Sequence, residues 1–413
     1  MSELPASYRD VFAIPEFRRL WSAHALSVIG SQLARVAITI LVYERTQSAG
    51  LTALTYALTF LPDFIGGAAL AGLADRFPRR TVMVITDICR AALVALMAVP
   101  GAPLAVQAGL LFLVQLVAAP FATSRHAILA DILTGDRLTV GLGSISITSQ
   151  AGVAIGFGAG AALVAQLGVP TALLLNATTF LASAIIIRHG ISHYRPLPPT
   201  DGEPTAGQWD TIKAGWSVVV HSARLRTLLA IACCAGFYAV PEGLAVPFAD
   251  QLGEGTAAVG WLLAANPVGT VLGMALLRIM PPDRRITLLG PMAVASSLIL
   301  LPTGWVPGLA VTVLLWTLSG VFSAHDIVTQ ATYVRIVPAH RRGQAIGVAI
   351  AALRAAQGIG IVAAGLLAQL LTPALIIAGA AVLGTVVTTI AALRWVRASS
   401  SHPDYPPGTK TSG

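Results

Sequence analysis

The sequence predicts an all-α membrane protein with twelve transmembrane helices. Three observations carry that expectation. Hydrophobic residues make up 55% of the 413-residue chain and charged residues only 11%, against about 25% charged in soluble domains. Mean hydropathy is +0.77, which excludes a soluble globule. The apolar residues also fall into runs of about 20, the length that crosses a bilayer as a helix, separated by short polar or Pro/Gly breaks.

In order, the first residues are polar and end in Pro15-Glu16-Phe17-Arg18-Arg19. Span 1 follows from Leu20 to Tyr43; it is too long for a signal-peptide core and carries Gln32 and Arg35. Span 2 runs from Leu51 to Ala74, span 3 from Thr81 to Val99 and span 4 from Leu104 to about Ala122, with a polar tail through Arg125 and Asp131. Span 5 covers Val140 to Leu167 and span 6 Thr171 to Ile187, with Gly168-Val169-Pro170 as the turn between them. A Pro-rich linker then leads to a stretch, Trp209 to Ser222, expected as a helix on the membrane surface. Spans 7 to 12 are Leu228–Phe248, Ala257–Ile279, Ile286–Leu301, Leu309–Ile336, Ala345–Leu370 and Ala374–Val396. The expected organisation is a six-helix unit over 1–190, a cytoplasmic linker over 191–226, a second six-helix unit over 227–397 and a disordered cytoplasmic tail over 398–413.

Orientation follows from the cations. Of the 26 Lys and Arg, all but Arg35, Arg45, Arg90 and Arg354 fall on one side of this topology. The positive-inside rule makes that side, with both termini, cytoplasmic. The net charge of +8 is accounted for by these loop arginines, with no nucleic-acid partner implied. Cys89, Cys233 and Cys234 lie inside apolar runs, and no disulfide framework or metal spacing is present. No cofactor is expected.

The stretch Gly72-Leu73-Ala74-Asp75-Arg76-Phe77-Pro78-Arg79-Arg80 sets one carboxylate and three guanidiniums between two apolar runs. It resembles the signature loop after span 2 of the major facilitator superfamily, Gly-x-Leu-Ala-Asp-Arg-x-Gly-Arg-Arg, with Pro78 in place of the second Gly. Pro78-Arg79-Arg80 has an echo in Pro282-Asp283-Arg284-Arg285 after span 8, and spans 5 and 11 are both glycine-rich. The resemblance implies two pseudo-symmetric six-helix halves. It also implies a conformational latch formed by Gly72, Asp75, Arg76, Arg79 and Arg80 with Arg125, near Gly343 and Gln344 at the start of span 11. A carboxylate at a helix N-terminus is favoured by the helix dipole.

Shorter pieces resemble the macrolide-efflux and siderophore-exporter branch of that superfamily. They are Phe17-Arg18-Arg19-Leu20-Trp21, Asn176-x-x-x-Phe180 and Val337-Pro338-x-x-Arg341-Arg342-Gly343. Span 5, with Gly152, Gly156, Gly158 and Gly160, resembles the antiporter motif of the superfamily without its proline; small residues at this spacing also serve close helix packing. The branch implies proton-driven export of amphipathic compounds.

A charge at the bilayer centre costs about 2.5–3.5 kcal/mol on insertion scales, so charges at depth need a reason. Asp63, after Pro62, and Arg35 are expected to pair across spans 1 and 2, either as a helix pin or as a proton site. Glu242 follows Pro241 near the outer end of span 7, as a gate or a solvated helix end. Asp87 and Arg90, three apart, are expected as a structural pair. His325 and Asp326 on span 10, with Arg354 and Gln357 on span 11, are expected as one polar cluster. His24 is expected as a satisfied packing residue. By resemblance, spans 1, 4, 7 and 10 line the cavity and offer Gln32, Gln107, Gln115, Tyr238, Trp316 and Gln330.

No Walker sequence, nucleophile elbow or metal-ligand cluster is present, so ATP-driven transport by this chain alone and membrane enzymes are disfavoured. The expected function is export of small amphipathic molecules, a drug, antibiotic or secondary metabolite, by proton antiport across the plasma membrane, as a monomer. The alternative is a proton-coupled uptake symporter for a polar nutrient such as a sugar or organic acid. That function calls for more hydrogen-bonding side chains along the cavity.

Overall fold

A computed structural model describes residues 7–60, 77–192, 208–338 and 341–400. Among these there is no strand. Nine helices are long and apolar enough to cross a membrane, as a chain this apolar requires: in lipid, backbone groups must be satisfied within the segment.

A short helix missed by the sequence reading comes first, α1 (Tyr8–Phe12). Ser7 and Asp10 form a reciprocal capping box over it. Five residues are too few to show periodicity. α2 (Pro15–Thr46) begins with Pro at its first turn, where the missing N–H costs nothing, and ends at Gln47 in the left-handed region. α3 (Ala49–Ala57) is capped by the Ser48 hydroxyl. The rest of the expected span 2 lies outside the described residues, and the count of twelve spans with it.

α4 (Arg79–Met97) carries Arg79, Arg80, Asp87 and Arg90. α5 (Leu104–Ile132) follows. α6 (Asp136–Gly190) is 55 residues long and turns at Gly168, whose φ of 76° suits glycine, so the expected turn between spans 5 and 6 falls where Gly168-Val169-Pro170 puts it.

The linker helix is α7 (Gln208–His221). Span 7 is broken into α8 (Ala223–Cys233), α9 (Ala235–Tyr238) and α10 (Val240–Gln251). Pro241 accounts for the second break, because it lacks the N–H that would continue the helix. α11 (Thr256–Ile279) and α12 (Pro282–Leu298) follow. Span 10 is likewise divided, at Ala324, into α13 (Leu309–Ser323) and α14 (His325–Ile336). α15 (Arg342–Leu367) and α16 (Pro373–Ser400) complete the chain.

Glycine spacing sets the closest packing. A Cβ on Gly152 would lie 2.9 Å from Val28, and one on Gly156 2.8 Å from Gln32, so α6 seats its glycine face on α2. In the second half, Gly360 of α15 packs on the backbone of Gly236, and Gly243 on Ile361. The span 5 glycines therefore serve helix packing here, the bland side of the motif reading.

The buried apolar residues form three clusters. One contains Leu33 to Phe60, Phe157 to Phe180, Val240 to Leu263 and Ile361 to Ile377, and so draws on both halves of the chain. The other two stay within one half each: Val11 to Ile191 in the first, Val219 to Trp395 in the second. The start of α2 is in the one-half cluster and its end in the shared one. The two sets of helices thus share a core at the end of the bundle far from the termini and keep separate cores at the end that carries them.

Candidate functional site

Where the two halves meet, their polar side chains join. Tyr43 at the end of α2 donates to Asp250 at 2.8 Å. One helix on, the buried Tyr56 of α3 donates its hydroxyl to Oε2 of Glu242 on α10, also at 2.8 Å. The Arg35 guanidinium lies 5.4 Å from the centre of the Tyr56 ring and 5.6 Å from that of Phe60. Arg354 of α15 lies 5.7 Å from the same Phe60 ring and donates to Gln357 at 3.3 Å. Phe60 is thus shared by two guanidiniums, one from each half, and its ring quadrupole favours both. Glu242 is half-buried and engaged, so it is not a solvated helix end. Asp63, the expected partner of Arg35, lies outside the described residues.

A second carboxylate sits in the C-terminal helices. Tyr238 donates to Oδ2 of Asp326 at 2.6 Å. His325 Nδ1 is 3.6 Å from Oδ1, too far for a hydrogen bond, and Oδ1 has no hydrogen-bond partner. Asp326 lines a small cavity of about 80 Å³ with Gln330, Tyr333 and Leu353. Arg354 lines a different one, of about 930 Å³, between α3 and α15. The expected single polar cluster is therefore two: Leu353 and Arg354 are consecutive and point about 100° apart around α15, toward separate cavities.

The expected lining residues divide in the same way. Gln330 is exposed to the small cavity. Gln107 is buried and donates to Met97 O at 3.1 Å, and Gln115 donates to Thr59 O at 3.4 Å. Gln107 thus answers the carbonyl of the last residue of α4, which has no partner within its own helix. Gln32 is buried against Gly156. Trp316 is buried and its ring centre lies 5.9 Å from that of Phe248. The large cavity is lined instead by α3, α15 and Trp216 of the linker helix.

At the end carrying the termini, Gly72, Asp75 and Arg76 lie outside the described residues. Arg79 forms an ion pair with Asp131, and Arg80 donates to Ile191 O at 3.1 Å. Arg125 donates to His24 Nδ1 at 2.6 Å and meets His126 Nε2 at 3.0 Å. An accepting Nδ1 leaves the proton on Nε2, which donates to Ser149 at 2.9 Å, so His24 is neutral and satisfied. Gln344 O packs against Gly215 of α7, where an added Cβ would stand 2.5 Å away. Asp87 is fully buried and bonded to Arg90 at 3.3 Å, which also bonds Ser27 and Ser31 and lies 4.0 Å from the centre of the Phe180 ring.

Tyr56, Phe60 and Trp216 were not singled out in the sequence. Tyr56 and Phe60 are four apart, the spacing of one helix face, and neither carries a charge that would have marked it.

Residues 20–317 match the family model of the Major Facilitator Superfamily. A stretch of 77 residues is 34% identical to macrolide efflux protein A of Streptococcus pyogenes, and this match covers 19% of this chain and 19% of that protein. The fold is similar to that of a POT family transporter in complex with 5-aminolevulinic acid, with a TM-score of 0.72 and 11% identity over 94% of this chain and 99% of that one. It is also similar to a bacterial homolog of the human lysosomal transporter Spinster in an inward-facing, unoccupied conformation, with a TM-score of 0.63 and 15% identity over 94% and 96% of the two chains.

Proposed function

We propose that this chain, which belongs to the Major Facilitator Superfamily, exports small amphipathic compounds carrying a basic amine, in exchange for protons. It is a multi-pass membrane transporter of that superfamily; direction, substrate and coupling are the proposal. The observation that carries it is Asp326. Its Oδ1 is unpartnered, its neighbour Tyr238 holds only Oδ2, and it is salt-bridged to no Lys or Arg among the described residues. Glu242, in contrast, is bonded to Tyr56, whose ring lies beside Arg35, and Arg35 and Arg354 both lie against the nearby Phe60 ring. Asp326 is half-buried with its Oδ1 shielded from solvent; a carboxylate so placed without a guanidinium is neutralised either by a proton or by a cationic ligand, and the two compete.

Competition is what antiport requires. An inward proton gradient drives export only if proton and substrate prefer opposite states of the carrier. The limited match to a macrolide efflux protein supports the direction. In this reading both termini are cytoplasmic, the protein sits in the plasma membrane, and the end with separate cores faces the cytoplasm. The six-helix halves then rock about the shared core, with Arg79, Arg80, Arg125 and the loop 72–76 as the latch of the alternate state. In inside-out vesicles, acidifying the lumen should drive accumulation of a hydrophobic amine, and collapsing the gradient should stop it. Substrate that moves out together with protons would mark a symporter instead.

A further inference from the structure

We infer that the slot between α3 and α15 holds the apolar body of the substrate and that Arg354 recognises an uncharged acceptor oxygen on it, an ester or ketone carbonyl part-way along. This rests on the amine-export reading and narrows the substrate class.

α15 is the barest of the nine membrane-length helices among the described residues. Only 11% of its apolar window is buried, against 33–72% in the other eight. It is held at both ends. At one, Gly365 packs on Gly50 and Ala53 of α3; at the other, Gln344 packs on Gly215 of the linker helix. Between these contacts lie about 32 Å of helix at 1.5 Å per residue. Along it runs the cavity of about 930 Å³, walled by Leu54, Ala57, Ala351, Ala355, Ile359 and Val362. That volume suits a drug-sized molecule.

Arg354 stands near the middle of this slot and is its single charged lining residue among those described. It is exposed, and its one hydrogen bond is to Gln357 at 3.3 Å. A guanidinium presents five donors in a fixed fork, so most of its donors face the slot without a protein acceptor. At mid-membrane depth such donors are costly to leave unmatched. The Glu242 carboxylate takes the Tyr56 hydroxyl and interacts electrostatically with Arg35 and Arg354, so Arg354 is not a bare cation that demands an anion. A neutral carbonyl supplies acceptor lone pairs without adding charge to an apolar slot.

The test uses the full chain in nanodiscs and two probes: a long-chain alkylamine interrupted by one ester, and the same amine with methylenes in place of the ester. The expected result is roughly tenfold tighter binding of the ester probe, the scale of one hydrogen bond to a charged group, and loss of that preference in Arg354→Met. Ala355→Trp, which fills the slot beside Arg354, should weaken both probes. Equal binding of the two probes by the wild-type chain overturns the inference, and that comparison decides the matter even if Arg354→Met does not fold. A preference that persists in Arg354→Met overturns it too, as does a phospholipid that stays in the slot and that the ester probe does not displace. Proton-driven transport of both probes alike would reject this inference while leaving the exporter reading intact; no transport of either would reject the exporter reading itself.

Discussion

The fully buried Tyr56 donates its hydroxyl to the half-buried Glu242 across the boundary between the two halves of the chain, at 2.8 Å. Together with Tyr43 and Asp250 it ties the halves at the end far from the termini. Removing the donor leaves a half-buried carboxylate short of a partner, a cost of about 1 kcal/mol, the low end of the range for a buried group. That cost falls on this conformation alone if the halves separate here in another. Tyr56→Phe should therefore shift the conformational balance with little change in folding. Spin labels at Gln47 and Leu370 should report a larger share of long distances in the variant; an unchanged distribution would show that the bond is not state-specific.

Asp87 and Arg90 make a stability prediction. Arg90→Met strands a carboxylate with no exposure to solvent, and breaking a buried pair typically costs about 3–5 kcal/mol. A markedly lower Tm is expected, with partial recovery in Asp87→Asn/Arg90→Met. If the double variant is as unstable as the single one, the serine and Phe180 contacts of Arg90 matter more than its charge pairing.

Gly360→Leu should be more damaging than Gly347→Leu. A side chain at Gly360 meets the Gly236 backbone, whereas at Gly347 nothing lies within 4 Å. Overpacking costs about 1–3 kcal/mol and often more. Thermal unfolding of the two purified variants checks the order.

The N-terminal helix has a pH signature. The Ser7 backbone N–H, and then its hydroxyl, hold the Asp10 carboxyl below its ordinary value. A depressed carboxyl contributes above its unfolded pKa, about 3.9, and its contribution is lost as pH falls through the lower folded value. The protection of the Val11 amide, its exchange rate relative to the unfolded chain at the same pH, should hold at neutral pH and fall only in strong acid. In Ser7→Ala it should be weaker at every pH.

The helices were legible because hydropathy and Pro/Gly punctuation act locally. Gly168 marked its turn, and Asp87 with Arg90 marked their pair by spacing. The site was less legible, because which face of a helix meets which neighbour is a tertiary matter. Gln107 and Gln115 have the composition of cavity residues, yet each donates to a backbone carbonyl of a neighbouring segment. Arg354 and Asp326 are both polar residues of adjacent spans, yet the turn from Leu353 to Arg354 sends them to different cavities. Phe60 carries no charge, and only the approach of Arg35 and Arg354 from opposite halves gives it a role.

The central claim is that proton and substrate compete for Asp326. The direct measurement is proton release on binding: a hydrophobic amine is added to the purified protein in weakly buffered solution near neutral pH. The account predicts that the wild-type chain releases protons as the amine binds, and that Asp326→Asn, whose amide cannot titrate, releases none. Binding without proton release in the wild type, or equal release from Asp326→Asn, would contradict it.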